Sequence, residues 1–246
     1  MPIVVTLSLR SDWPLKADTR QLHGLACALF ERASPADHIG SDKPFAIWPL
    51  RPHTGGAGLG WVLRAAWLRP GPPPASLDGQ EKLRLGHVTC AVTETTLRSA
   101  SHDQIASGAA ATRADLTFSS PTYFSHNGTD LVNPDPRLIV GSWRRGWNAS
   151  LPENHPLRVS DDCWKELRQS AALAEFDLRT ATMDSGRGPM RTGFTGSATL
   201  RLSKSAPATA KAALGTLARF AEFSGTGAQT THGFGATSLA AVAGES

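Results

Sequence analysis

Cysteine is scarce: Cys27, Cys90 and Cys163 are the only three in 246 residues, odd in number and far apart. No CxxC pair occurs, so neither a disulfide framework nor a cysteine-rich zinc site can be assembled. The eight histidines form no HExxH or comparable ligand spacing, which argues against a preformed metal site. No GK[ST] follows the glycine-rich stretches and no GxGxxG follows a strand, so Walker and dinucleotide loops are excluded. No apolar run approaches about 18 residues, so nothing is expected to span a membrane. The opening MPIVVTLSLR lacks the basic flank and apolar core of a secretory leader. The expectation is a cytoplasmic protein that needs no cofactor.

What is present is a moderately apolar chain, 40% hydrophobic, with 23 glycines and 17 prolines. That mixture fits short elements joined by structured loops, and the length suits one large core or two of about 120 residues. Net charge is +4, from 25 basic and 21 acidic residues. Such a mild basic excess is compatible with nucleic acid without establishing it.

Ile3 to Leu9 alternates as a strand. Asp18 then reads as an N-cap with Gln21 completing a capping box, followed by an apolar stripe of Leu22, Leu25, Ala26, Leu29 and Phe30. Strands are predicted at 45–50, 60–68 and 87–97, the first two forming a hairpin. The Ser-, Ala- and Gly-rich stretch 99–114 reads as a linker whose alanines are too small to anchor a core. A second series follows: a strand broken at Pro121 with an Asn127-Gly128 turn, helices at 136–147 and 161–172, strands at 176–183 and 191–202, and a helix at 208–223. The fold class expected is α+β, with two units at 1–114 and 115–246.

The segment FSGTGAQTTHGFGATSL concentrates four glycines, Gly225, Gly227, Gly233 and Gly235, within eleven residues. Such spacing allows close backbone approach, and exposed N–H groups can receive phosphate oxygens, with threonine hydroxyls such as Thr230 adding donors. A tight connection with Gly225 as a helix C-cap fits equally. Histidine can exchange a proton near neutral pH. His23 should lie half exposed beside the first helix stripe, and His38 on the following loop with Lys43 five residues on. A core-edge residue and a solvated loop residue are the plainer alternatives. Arg144-Arg145 and Arg187-Arg191 are small basic clusters. Trp143 and Trp147, four apart, fit core contacts better than base stacking. The residues support anion binding and do not name the ligand.

Several segments together resemble the CRISPR-associated Cas6 endoribonucleases. They are LHGLACALFE, SPADHIGSDKPFAIWPL, LTFSSPTYF, NPDPRLIVGSWRRGWN, GFTGSATL and FAEFSGTGAQTTHGFG, in family order from about residue 3 to 238. The resemblance implies tandem ferredoxin-like (RAMP-type) domains that bind repeat RNA. It also implies one cut per repeat, made with the 2′-hydroxyl as nucleophile and without metal, leaving 2′,3′-cyclic phosphate and 5′-hydroxyl ends. Carried onto this chain, the catalytic residues are His38, His23 and Lys43. His23 stands where the family often has tyrosine or histidine. RNA holding falls to Arg144, Arg145, Arg187, Arg191, Gly225, Gly227, Thr230, Gly233 and Gly235. The implied partner is CRISPR repeat RNA in the precursor transcript, with CRISPR effector complex subunits and a second copy of the chain as further candidates. A non-cleaving repeat-RNA holder and a protein–protein scaffold are the rival readings.

Overall fold

Alternating and helical apolar patterns sort the chain into two sheets, each with its own helices. The computed structural model describes residues 1–31, 43–53, 59–73, 77, 79–186 and 189–244. Strand β1 (Ile3–Ser11) leads to α1 (Thr19–Phe30), then β2 (Phe45–Ile47), β3 (Arg51–His53), β4 (Leu59–Trp67), β5 (Lys82–Leu85) and β6 (Val88–Ser99). The sheet order is β2-β4-β1-β6-β5, all antiparallel, with β3 also pairing with β4. The Asp18 carboxylate accepts from the Gln21 amide at 2.8 Å while the Gln21 side chain accepts from the Asp18 amide, so the capping box forms. The whole predicted stripe of α1 is buried on the sheet. Strand β5 carries no distinct pattern in four residues and was not anticipated.

A short helix α2 (His102–Ala106) connects to the second unit. Here the linker reading needs correction. His102 and Ile105 are both buried, and Ile105, Ala111 and Ala114 belong to the second core. The second unit runs β7 (Arg113–Thr122), β8 (Phe124–His126), β9 (Thr129–Leu131), α3 (Pro136–Ala149), α4 (Asp161–Ser170), β10 (Ala171–Met183), β11 (Arg191–Leu202), α5 (Ala208–Ser224) and β12 (Thr237–Ala243). Its sheet order is β10-β11-β7-β12, again antiparallel. This is a complete βαββαβ unit with two helices in its first crossover. The β2-β4-β1-β6 strands of the first unit follow the same order, and β5 adds an edge strand beside β6.

Contrary to the sequence reading, β7 continues through Pro121 to Thr122. Proline lacks an N–H, and the ladder to β11 shifts register at this point, so no paired donor is lost. Asn127 and Gly128 both take positive φ, 49° and 76°, in the β8–β9 turn.

Period-two alternation joins the units. Val5, Leu7 and Leu9 face α1, whereas Val4, Ala46 and Ala66 on the opposite side enter the second core. Helix α5 lies between them, built largely of Ala, Gly and Leu and buried on most of its surface. Arg64 donates to the Glu222 carbonyl at 2.9 Å, and Arg98 reaches the Glu222 carboxylate at 3.7 Å, tying the first sheet to α5. Among the described residues no helix is long and apolar enough to cross a membrane.

Candidate active site

The glycine-rich segment after α5 is held by its own backbone. Gly225 ends the helix at φ +70°, and its amide donates to Ala221 at 2.9 Å. The amides of Thr226, Gly227, Ala228 and Gly235 donate to Gly235, the Ser142 hydroxyl, Tyr123 and Pro121 respectively. A Cβ on Gly235 would lie 1.9 Å from the Thr226 carbonyl oxygen, and one on Gly227 2.3 Å from that of Tyr123. These glycines therefore serve close approach of the loop to itself and to the end of β7. The buried threonines are equally occupied. The Trp143 indole donates to Thr226 Oγ1 at 2.8 Å, which donates to Thr237 Oγ1, which donates to the Gly235 carbonyl. These amides and hydroxyls are therefore engaged within the protein.

One turn of the loop is different. Gln229 sits in the left-handed region at φ +54°, opening a 3-10 turn over Thr230–His232. The amides of Gln229, Thr230 and Thr231 have no hydrogen-bond acceptor among the described residues. They edge a cavity of about 270 Å³ between the two units, also lined by Lys43, Phe45, Ser142, Arg145, Gly225 and Gly227. A neighbouring cavity of about 590 Å³ shares Lys43 and Arg145 and adds Arg69 and Arg158. Cations and backbone donors face the same cleft, an arrangement suited to phosphate oxygens.

On the α1 side, His23 reaches the 3-10 turn. Its Nδ1 lies 3.0 Å from the Thr231 carbonyl oxygen, which can only accept, so Nδ1 carries the proton. Its Nε2 lies 3.6 Å from the Cys27 thiol, whose pKa is pushed up to about 11 by burial and by Glu31. His232 stacks on His23, ring centroids 4.1 Å apart and planes 4° from parallel. Burial lowers the His232 pKa to about 4, assisted by the charges of His23 and Arg191. Gly233, at φ +94°, brings the turn against Leu22 of α1.

The remaining predicted residues divide. Lys43 is at the cleft, 2.8 Å from the Glu31 carboxylate in a pair largely withdrawn from solvent. Arg145 lines both cavities. Arg191 pairs with Asp130 and lies over the Tyr123 ring, whose hydroxyl pKa burial pushes up to about 12. Arg144 instead fastens α3 to the start of α4, through Val159, Asp161 and the Trp164 ring, and lines neither cavity. Gly233 and Gly235 act behind the cleft. Trp143 and Trp147 are fully buried. His38 and Arg187 lie outside the described residues. His232 is a site residue the sequence expectations leave out; the signal for it is a histidine beside Gly233 within the glycine-rich anion-binding candidate.

A complete βαββαβ unit and a first unit whose β2-β4-β1-β6 strands follow the same order, with a basic cleft between them, define a tandem ferredoxin-like protein of the RAMP type. The family profile described as CRISPR-associated endoribonuclease Cas6 matches residues 116–237. The CRISPR-associated endoribonuclease Cas6 of Mycobacterium tuberculosis (strain CDC 1551 / Oshkosh) is 31% identical over 121 residues, which is 49% of this chain and 37% of that protein. The match thus spans little more than a third of the curated relative's length. A Thermus thermophilus Cas6 in a product complex superposes with TM-score 0.80 at 29% identity, over 97% of this chain and 99% of that one. A second Cas6 product complex shares the fold at TM-score 0.76 and 22% identity, over 97% and 100%. Residues 116–237 thus match the CRISPR-associated endoribonuclease Cas6 family, and nearly the whole chain shares the fold of solved Cas6 structures.

Proposed function

We propose that this chain is an endoribonuclease that cleaves CRISPR repeat RNA in precursor transcripts, without a metal ion, leaving 2′,3′-cyclic phosphate and 5′-hydroxyl ends. The observation that carries the reading is that Lys43, Arg145 and the turn at 229–231 line one cleft between the two units, with His23 bonded from outside the cavity wall to the Thr231 carbonyl of the same turn. In this reading residues 1–114 supply the proton-transfer groups and 115–246 supply the glycine-rich loop that holds RNA.

The chemistry sets the roles. A 2′-hydroxyl needs a base, the departing 5′-oxygen needs an acid, and the crowded phosphorane between them needs positive charge. His38 is the main proton-transfer group, His23 its partner, and Lys43 the cation beside the developing charge. Arg145, with Gly225, Gly227 and Thr230 at the cavity wall, holds the phosphate backbone; Arg191, at the start of β11, and Arg187 would add phosphate contacts. One observation favours a non-cleaving RNA holder instead: both ring nitrogens of His23 already have neighbours within the protein.

The test is incubation with cognate repeat RNA in excess EDTA. Cleavage should persist in chelator and fall by roughly 10²-fold or more in His38→Ala. Full activity in that variant would remove the assignment. Tight binding without cleavage by the wild-type protein would establish the RNA holder.

A further inference from the structure

His232 has no part in the roles above, yet its ring covers one face of His23. We infer that His232 is a positioning residue for His23: the stacked ring and the Thr231 carbonyl together fix the orientation and tautomer of the His23 imidazole. The inference rests on the endoribonuclease reading only for its activity arm.

The geometry restricts what His232 can do. Parallel rings 4.1 Å apart present faces, not nitrogen edges, so no proton passes between them. A stack of this kind resists tilting of either ring. The His232 ring is itself held, with Nδ1 2.8 Å from its neighbour Thr231 Oγ1. The residue that anchors His23 through its carbonyl therefore anchors His232 through its hydroxyl. Phe45 closes a further side of His23, its centroid 5.7 Å away and tilted by 39°. Two contacts from the second unit thus hold an imidazole from the first, so His23 is correctly placed only when the units are assembled.

Removing the ring and replacing it distinguish positioning from chemistry. His232→Ala should slow single-turnover cleavage of repeat RNA by about 10- to 100-fold, the usual effect of a misplaced catalytic group, while RNA affinity stays within about twofold. His232→Phe keeps a flat ring without nitrogen and should cleave within about threefold of wild type. A readout without RNA runs beside it: 15N shifts of the His23 ring should report protonated Nδ1 in wild type and His232→Phe, and a tautomer mixture in His232→Ala. Cleavage by His232→Phe as slow as that of His232→Ala would overturn the inference, because His232 would then act through its nitrogens. So would an unchanged His23 signature in His232→Ala. If the wild-type protein cuts no RNA, the endoribonuclease reading fails, and the 15N measurement still decides whether the stack fixes His23.

Discussion

At the residue scale, the histidines separate by environment rather than by sequence. His102 is 5% exposed, donates to Ser150 Oγ at 2.9 Å and packs edge-on against Trp147. Burial, with the N-terminal charge and His155, lowers its pKa from 6.5 to about 4. The unfolded chain therefore binds a proton that the native state refuses between those values. The stability held above pH 6.5 is lost as pH falls toward 4, on the order of 2 kcal/mol from His102 by pH 5. His232, lowered for the same leading reason, adds to the slope. In denaturant titrations at pH 7 and pH 5, His102→Gln should show a visibly smaller acid loss than wild type. An unchanged loss would mean that His102 does not titrate as argued. The sequence showed eight histidines and could rank only those near recognisable motifs. His23 was legible because helical spacing sets it beside a buried stripe. His232 was not, since its meaning comes from a ring 209 positions earlier in the chain.

At the element scale, local rules carried well. The Asp18–Gln21 capping box and the stripes of α1 and α5 were readable because caps and periodicity act within a few residues. Asp18→Ala should destabilise the protein by about 1 kcal/mol in chemical denaturation. No change would show that α1 is held by its packing alone. The failures share a cause. Strand β5 exists because β6 pairs with it, and β7 passes Pro121 because a register shift removes the need for that donor. Helix α2 was hidden in a stretch of small residues; its Ile105 is buried in the second core, where α2 packs on α5. The glycine-rich loop was recognised, but its glycines chiefly let the loop fold upon itself, and the turn at 229–231 has amides with no acceptor among the described residues. Composition can signal close approach without saying what is approached.

At the scale of the whole molecule, the tandem arrangement followed from element order, whereas the cleft did not. Its walls come from Lys43 and β2, the end of β4, α3 and the loop after α5, brought together because α5 is buried between the first sheet and the second unit. Arg64 and Arg98 meet Glu222 across that junction, a contact that nothing local in the sequence marks. The central claim is that this cleft directs the RNA's own 2′-hydroxyl at the adjacent phosphate. The most direct measurement uses repeat RNA whose cut has first been mapped, carrying a single 2′-deoxy substitution at the nucleotide 5′ to that cut. The account predicts that this RNA binds as tightly as the unmodified repeat and stays intact. Cleavage at the same linkage would contradict it, because the nucleophile would then come from elsewhere.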